Sequence, residues 1–297
     1  MEKIILYYKF FPVDNPDMTV LWQKELCKRL DLKGRIIISK HGINGTLGGK
    51  VENLKEYIKE MNLTDFNGIT YKWSEGEASD FPRLSIKHRP ELVAFGVPDE
   101  LKVNEKGVVG GGKHLKPEEV NKLVEERGED VIFFDGRNAF EAEIGKFKNA
   151  LIPNVRTSHD FIKEIEDPKY DAIKDKPIVS YCTGGIRCEA LSALMKNRGF
   201  KEVYQIDGGI VKYGEKYADN GLWEGSLYVF DRRMDTTFSD KAKKIGKCSK
   251  CGNKTSNFEN CGYKPCNSLV LMCGTCHSKD DTCKSACRKK LIAYTGR

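Results

Sequence analysis

Residues 182–189 read Cys-Thr-Gly-Gly-Ile-Arg-Cys-Glu, an order that suits a nucleophilic sulfur. Ile178-Val179-Ser180-Tyr181 follow Pro177 as a short apolar run, the pattern of a buried strand. Thr183-Gly184-Gly185 break that strand, and Glu189–Lys196 are good helix formers that stop at Gly199. Cys182 therefore closes a strand, and a glycine-rich loop leads on into a helix. In that position backbone N–H groups and the helix N-terminus face whatever the sulfur carries. Arg187 adds a fixed positive charge five residues on. All of these favour thiolate, the nucleophilic form, over thiol. The bland alternative is a small buried hydrophobe, the commoner fate of a lone cysteine. Two glycines and an arginine in the same loop argue against it. Cys188 has the placement of a resolving thiol, but a buried, inert helix position accounts for it equally simply and is the more frequent case.

The chain has 11 cysteines, and eight of them fall within residues 248–287 as four short pairs. The pairs are Cys248/Cys251, Cys261/Cys266, Cys273/Cys276 and Cys283/Cys287. A tight knuckle places two sulfurs on one ion, so eight thiolates suffice for two tetrahedral four-cysteine sites. The apolar stretch between Lys3 and Lys9 is too short for a signal-peptide core, and no run approaches a membrane span. A cytoplasmic protein is expected, and in that compartment clustered cysteines indicate metal rather than disulfides. Zinc is favoured because the segment is basic and lacks a ferredoxin run; an iron–sulfur cluster stays open. Spacing does not say which knuckle joins which, and His277 is available to replace one cysteine.

At 297 residues, 39% hydrophobic and 31% charged, the chain has room for two or three ordinary globular domains. The net charge of +7 is unevenly spread. From Asp240 to Arg297 there are 13 Lys/Arg against 4 Asp/Glu, so this tail carries the whole excess and the body is close to neutral. Such a tail points to a polyanionic partner, nucleic acid first, with a merely solubilising role as the alternative.

The elements that hold these groups follow from periodicity. Ile4–Tyr8, Arg35–Ser39, Ile43–Leu47 and Ile69–Trp73 read as strands. One helix is expected after Asp17 as cap, with Met18, Trp22, Leu26 and Leu30 on one face; another carries Val51, Leu54, Ile58 and Met61. The resulting β-α-β-β-α-β order is ferredoxin-like. Within it, His41-Gly42-Ile43-Asn44-Gly45-Thr46 reads as a tight hairpin rather than a phosphate-facing surface, and His41 as a turn residue rather than a base. Residues 76–115 are a proline- and glycine-rich connection with short strands near Leu84–Ile86 and Leu92–Phe95. Beyond Pro117 come a helix to Arg127, the strand Val131–Phe134, the strand before Cys182, its helix, and Val203–Ile206. Continuous apolar strands alternating with helices indicate a parallel sheet, which binds ligands beyond the carboxyl ends of its strands.

Asp135-Gly136-Arg137, Phe140-Glu141, Gly145, Ala150, the loop at 182–187 and Asp207-Gly208-Gly209-Ile210 together resemble the rhodanese domain. Lys146 and Asn149 depart from it, standing where rhodaneses usually have His and Gly, but neither touches the loop. Cysteine phosphatases resemble a longer Cys-x5-Arg loop; four residues between Cys182 and Arg187 look like the shorter loop that holds a persulfide. Over the full length, the ferredoxin-like start, Tyr181–Glu189, the Val-Phe-Asp-Arg-Arg stretch at 229–233 and the cysteine-rich tail resemble the tRNA uridine hydroxylase family.

The resemblance implies an oxidoreductase that makes 5-hydroxyuridine at the wobble position (34) of tRNA, with molecular oxygen as co-substrate. It implies Cys182 as the catalytic, persulfide-forming cysteine, with Arg187 and the loop residues Thr183, Gly184, Gly185 and Ile186 around the sulfur and substrate. The partner is then tRNA through its anticodon region; no membrane and no obligate protein partner is implied. No flavin, haem or nicotinamide site is recognised: no GxGxxG follows a strand, and the five histidines lack ligand spacing. Rival readings are a rhodanese-type sulfurtransferase and a non-enzymatic RNA-binding adaptor. The expected fold class is multidomain α/β and α+β: a ferredoxin-like (acylphosphatase-like) domain at 1–95, a linker at 96–115, a rhodanese-like parallel α/β domain at 116–226, and a cysteine-rich module at 240–297 expected to bind zinc.

Overall fold

In the computed structural model of the chain, residues 1–230 and 233–295 are described. Asp231 and Arg232, within the stretch at 229–233, lie outside the described residues. The first elements are β1 (Glu2–Phe10), α1 (Pro16–Arg29), β2 (Lys33–Ser39), β3 (Gly42–Lys50), α2 (Val51–Asn62), β4 (Lys72–Ser74) and β5 (Leu84–His88). There follow β6 (Val103–Asn104), β7 (Gly107–Val108), β8 (Lys113–Leu115), α3 (Pro117–Arg127), β9 (Ile132–Asp135), α4 (Ala139–Ala142) and β10 (Gly145–Phe147). Next are α5 (Phe161–Ile165), β11 (Pro177–Tyr181), α6 (Ile186–Asn197), β12 (Glu202–Ile206) and α7 (Gly209–Tyr217). The last are β13 (Trp223–Gly225), β14 (Leu227–Tyr228), β15 (Asp235–Thr236), β16 (Phe258–Asn260), β17 (Leu269–Leu271), α8 (Gly274–Lys279) and α9 (Ser285–Thr295). Two units result: residues 1–113 with 157–177 and 186–205, and residues 114–156 with 178–185 and 206–297.

The first unit realises the ferredoxin-like order, with strands arranged β4-β1-β3-β2-β5. The added β5 runs parallel to β2, from Gly34 opposite Leu84 to Ile38 opposite His88. Ile5, Ile36, Ile38, Ile43 and Leu47 of the sheet bury against Leu26, Cys27, Leu54, Tyr57 and Met61 of the two helices. Cys27 is thereby an inert core thiol, its pKa pushed up to about 12 by burial. Helix α1 starts two residues earlier than the sequence expectation. Asn15 caps it, accepting the Met18 N–H at 3.0 Å, and Pro16 takes the first position. Asp17 lies inside the first turn and meets His88 at 3.0 Å instead. The buried face is Val20, Gln23, Leu26 and Cys27, whereas Met18 is 60% exposed. A strict every-fourth stripe drifts about 40° per step around a 3.6-residue helix, which carries Met18 off the core.

Pairing at the sheet edge is shorter than Ile69–Trp73: only Lys72–Ser74 join β1, from Leu6 opposite Lys72 to Ile4 opposite Ser74. Leu92 and Phe95 are buried without forming a strand. There the Glu91 carboxylate accepts the Gly96 and Val97 N–H groups at 2.9 and 3.2 Å, so a side chain replaces the ladder.

The hairpin at 41–46 explains its own glycines. β2 and β3 turn through Lys40-His41, with Ser39 opposite Gly42. Gly42 has φ +137° and its place for a Cβ is 2.0 Å from the Lys9 carbonyl oxygen. At Gly45 a Cβ would sit 2.2 Å from the Tyr7 ring, whose hydroxyl meets that of Tyr57. Tyr57 in turn donates to Gln23 Oε1 at 2.6 Å, completing a buried polar chain.

In the second unit β9 and β11 pair in parallel, from Ile132 opposite Ile178 to Asp135 opposite Tyr181. Phe147 organises the apolar interior: its ring stacks on Phe133 at 4.7 Å and meets Tyr181 and Tyr213 at 4.8 Å and Trp223 at 5.5 Å. A second cluster joins Ile144 and Tyr228 to Phe258 and Leu271 of the cysteine-rich segment. Among the described residues no helix is long and apolar enough to cross a membrane.

The Gly42 geometry generates a stability prediction. Gly42→Ala places a methyl against fixed backbone at a φ that L-residues avoid, and is expected to cost about 2 kcal/mol or more in urea unfolding. A variant within about 0.5 kcal/mol of the wild type would refute this account of the hairpin.

Candidate active site and metal centres

Cys182 follows directly on β11, all five residues of which are buried, and is itself only 1% exposed. The Gly185 N–H points at its sulfur, 3.2 Å from Sγ. A donor on sulfur stabilises negative charge there. The loop is tied down from beneath by α7. Ile210 N–H donates to the Cys182 carbonyl at 3.0 Å, and Val211 N–H to the Thr183 carbonyl at 3.1 Å. With those carbonyls bound to α7, the loop backbone cannot rotate away from the sulfur. The close approach requires Gly209: a Cβ there would lie 2.5 Å from the Cys182 oxygen, 2.7 Å from the Thr183 oxygen and 2.8 Å from the Gly185 nitrogen. Gly208 before it adopts φ +72°.

Thr183 and Gly184 are half-buried in this loop, and Gly185 is buried. Ile186 and Arg187 stand half-buried in the first turn of α6, which begins three residues earlier than Glu189. Cys188, in the same turn, is 1% exposed. Glu189, absent from the sequence-based site, receives hydrogen bonds from Tyr8 Oη at 3.3 Å and Gln205 Nε2 at 3.2 Å.

Sequence reasoning gave Asp135-Gly136-Arg137 as a signature without a role. Arg137 is wholly buried and grips Asp135 with two bonds, Nε to Oδ1 at 2.9 Å and Nη2 to Oδ2 at 2.6 Å. A third goes to the Gly145 carbonyl at 2.8 Å. Tyr181, the residue before Cys182, donates its hydroxyl to Asp135 Oδ2 at 2.9 Å, and its carbonyl accepts the Gly136 N–H at 2.8 Å. The guanidinium also lies 5.2 Å from the Trp223 ring centre. Burial disfavours the charged guanidinium, but the Asp135 carboxylate outweighs that and raises its pKa further. Of the two departures from the rhodanese pattern, Asn149 adopts φ +56°, the left-handed region that a glycine fits best and Asn tolerates. Lys146 lies in β10 opposite Glu224.

The eight tail cysteines form two groups, Cys248/Cys251/Cys273/Cys276 and Cys261/Cys266/Cys283/Cys287, each with its sulfurs within 4.8 Å of one another. First knuckle joins third and second joins fourth, a pairing that spacing left open. Sulfur separations of 3.6 Å (Cys251–Cys273), 3.7 Å (Cys266–Cys283) and 3.6 Å (Cys283–Cys287) far exceed a disulfide bond. They approach the roughly 3.8 Å edge of a tetrahedron with metal–sulfur arms of about 2.3 Å. The residues present therefore fit a tetrahedral thiolate-bound ion. Burial opposes the Cys248 thiolate, yet the backbone amides of Cys273, Cys251 and Lys250 pull its pKa down to about 6. The hydroxyl and backbone of Ser268 bring Cys266 to about 6 as well. His277 belongs to neither group; its Nε2 lies 3.8 Å from Glu259.

The chain is similar to known proteins along nearly its full length. The family model described as UPF0176 acylphosphatase like domain matches residues 2–92, the Rhodanese-like domain residues 116–216, and the Rhodanase C-terminal domain residues 224–288. A protein of Corynebacterium jeikeium named tRNA uridine(34) hydroxylase is 62% identical over 98% of this chain and 94% of its own length. The protein of that name from Corynebacterium urealyticum is 64% identical over 93% of each chain. One from Arthrobacter sp. is 60% identical over 97% of this chain and 99% of its own.

Two outcomes are expected from this geometry. Arg137→Met leaves the Asp135 charge buried and unpaired and should cost about 3–5 kcal/mol of stability in urea unfolding; a loss below about 1 kcal/mol would show the pair to be dispensable. Metal analysis should find two ions per chain, one for each cysteine group. Their removal by a chelator should open residues 248–287 to protease. A metal-free protein that resists cleavage there would contradict it.

Proposed function

The chain belongs to the tRNA uridine(34) hydroxylase family, and from that membership we propose that it hydroxylates C5 of the wobble uridine with molecular oxygen, using Cys182 as a persulfide-forming nucleophile. The observation that carries the reading is the conjunction of 60–64% identity along nearly the full chain with a loop whose Gly185 N–H bonds the Cys182 sulfur. The anticodon arm of tRNA is the substrate region, and zinc the ion of both cysteine groups. The working compartment is the cytoplasm. Domain limits at 1–95, 116–226 and 240–297 complete the proposal, with 96–115 as linker.

Burial shapes the chemistry. Cys182 Sγ is nearly inaccessible, and a persulfide, formed when the thiolate takes the sulfane sulfur of a thiosulfate-type donor and sulfite leaves, extends its reach by an S–S bond of about 2 Å. The outer sulfur adds to C6 of uracil, and the electron pair of the C5–C6 double bond moves to C5, which becomes nucleophilic enough to bond oxygen. Loss of the C5 proton and departure of the sulfur from C6 restore the double bond. One oxygen atom stays on C5 and the other leaves as water, which requires two electrons and two protons. A pair of thiols oxidised to a disulfide supplies them. Arg187 and the loop residues Thr183 to Ile186 hold the sulfur anion and orient the ring.

The test is nucleoside analysis by mass spectrometry of tRNA from a deletion strain complemented with wild type or Cys182→Ser. Wild type should restore 5-hydroxyuridine and Cys182→Ser should not; restoration by the serine variant sinks the mechanism. Loss of a thiolated nucleoside instead would favour the sulfurtransferase reading, and no change in any nucleoside the adaptor reading. Cys188 is buried in α6 and is expected to remain a thiol in peroxide-treated protein; a Cys182–Cys188 disulfide in the peptide map would make it a resolving cysteine.

A further inference from the structure

The cysteine-rich segment carries a surface cavity of about 370 Å³ that the chemistry at Cys182 does not use. Tyr263 and Pro265 of the second knuckle form part of its wall, and Lys284, Ala286 and Lys290 the rest. Cys266 and Cys287, both of the second metal group, complete the lining. The knuckle is rigidly held. The Tyr263 carbonyl accepts the N–H groups of Cys266 at 2.8 Å and Asn267 at 3.3 Å, and Cys261 N–H donates to the Ser268 carbonyl at 2.9 Å. On the other wall Ala286 and Lys290 are four residues apart in α9, so they share one helix face.

The lining has one aromatic ring, two small apolar residues, two ammonium groups and no carboxylate. Asp281, whose carboxylate lies against Gly262, is not part of it. Two cations nearby are neutralised locally: Lys250 at 2.8 Å and Arg288 at 3.6 Å both face Asp280. Lys284 and Lys290 are exposed and pair with no carboxylate among the described residues. A flat ring beside unpaired cations suits a ligand that has a π face and negative charge on either side of it. A nucleotide in a single strand has that form: the base stacks and the flanking phosphates meet the lysines. An acidic peptide would engage the ammonium groups but leave the ring and proline without a partner.

We infer that this cavity is a subsite for one nucleotide of the RNA substrate, with the base against Tyr263 and Pro265 and the adjoining phosphates at Lys284 and Lys290. The inference rests on the reading of the chain as an enzyme acting on tRNA, and adds a place where that RNA is held. Since Cys266 and Cys287 belong to both cavity and metal group, an ion at the second group sets the distance between ring and lysines.

The experiment uses the full-length, metal-loaded protein and a fluorescein-labelled tRNA transcript, with affinity read by anisotropy across a salt series. Tyr263→Leu should weaken binding roughly 5- to 150-fold, the range of one base–aromatic stack, while Tyr263→Phe stays within about twofold. The double variant Lys284→Gln/Lys290→Gln should reduce the slope of log affinity against log salt by about 1.4, for two phosphates of a single strand. Metal content of the same samples separates loss of the ring from loss of the fold, and if Tyr263→Leu sheds metal the salt slope of the exposed lysine pair decides. Unchanged affinity in a metal-replete Tyr263→Leu, or an unchanged slope in the lysine pair, overturns the subsite. Formation of 5-hydroxyuridine by wild type is measured in parallel. Its absence beside intact ring- and lysine-dependent binding would sink the hydroxylase reading and leave the subsite standing.

Discussion

A guanidinium sealed from water organises the second unit. Arg137 bonds both oxygens of Asp135 and the Gly145 carbonyl, so it joins the end of β9 to the start of β10. Tyr181 extends the contact to the end of β11, one residue before the reactive sulfur. A buried ion pair is costly to desolvate, and it is sustained only where the remaining hydrogen-bonding capacity is met. Here the carboxylate takes three side-chain donors and the guanidinium rests near two aromatic rings. Burial, and then the Asp135 charge, hold the Tyr181 hydroxyl well above its ordinary pKa, so it stays protonated and keeps donating. The guanidinium, whose pKa the Asp135 carboxylate raises further, likewise stays charged and keeps donating. The strand end that carries Cys182 is thereby held by donors on both sides of the Asp135 carboxylate.

The loop itself is positioned by a different device, the absence of a side chain. Gly209 lets the first turn of α7 rise against the Cys182 and Thr183 carbonyls, and the helix N–H groups bind them. The ion pair fixes where the strand ends, and the glycine fixes which way the following loop can face. Either alone would leave one end of the loop free. Together they present the Gly185 N–H to the sulfur without any side chain having to reorganise when charge forms there.

Much of this was legible in the chain, because short motifs encode local geometry. The strand–Cys–Gly–Gly–helix order placed Cys182 at a strand end, and Asp207-Gly208-Gly209-Ile210 entered only as part of the rhodanese resemblance, without the close approach that Gly209 makes possible. The ferredoxin-like order followed from apolar periodicity. What periodicity could not supply was the phase of a helix, and so α1 buries Val20 and Gln23 where a four-residue stripe had put Met18. Nor does a strand pattern reveal whether a partner is in reach: Leu92–Phe95 is apolar enough, but Glu91 closes that loop instead. The role of Arg137 depends on contacts with β10, β11 and β13, which only tertiary structure brings together.

Knuckle spacing likewise defines pairs of ligands but is silent on their partners, because the choice between knuckles is made by the chain between them. The β16–β17 hairpin sets Phe258 opposite Leu271 and buries both against Ile144 and Tyr228. With its strands so anchored, Cys261 and Cys273 leave opposite ends of the hairpin, Cys261 just after β16 and Cys273 just after β17. Cys273 joins the knuckle before β16, and Cys261 joins the one beyond α8. Sequential pairing would have given two separable loops, each folding on its own ion. Interleaved pairing instead encloses the second knuckle within the span of the first group, from Cys248 to Cys276, so each ion closes a loop that contains a ligand of the other. Loop-closure entropy is then reduced for the second ion once the first is in place, and the two groups should fold as one cooperative body seated on the core of the same unit.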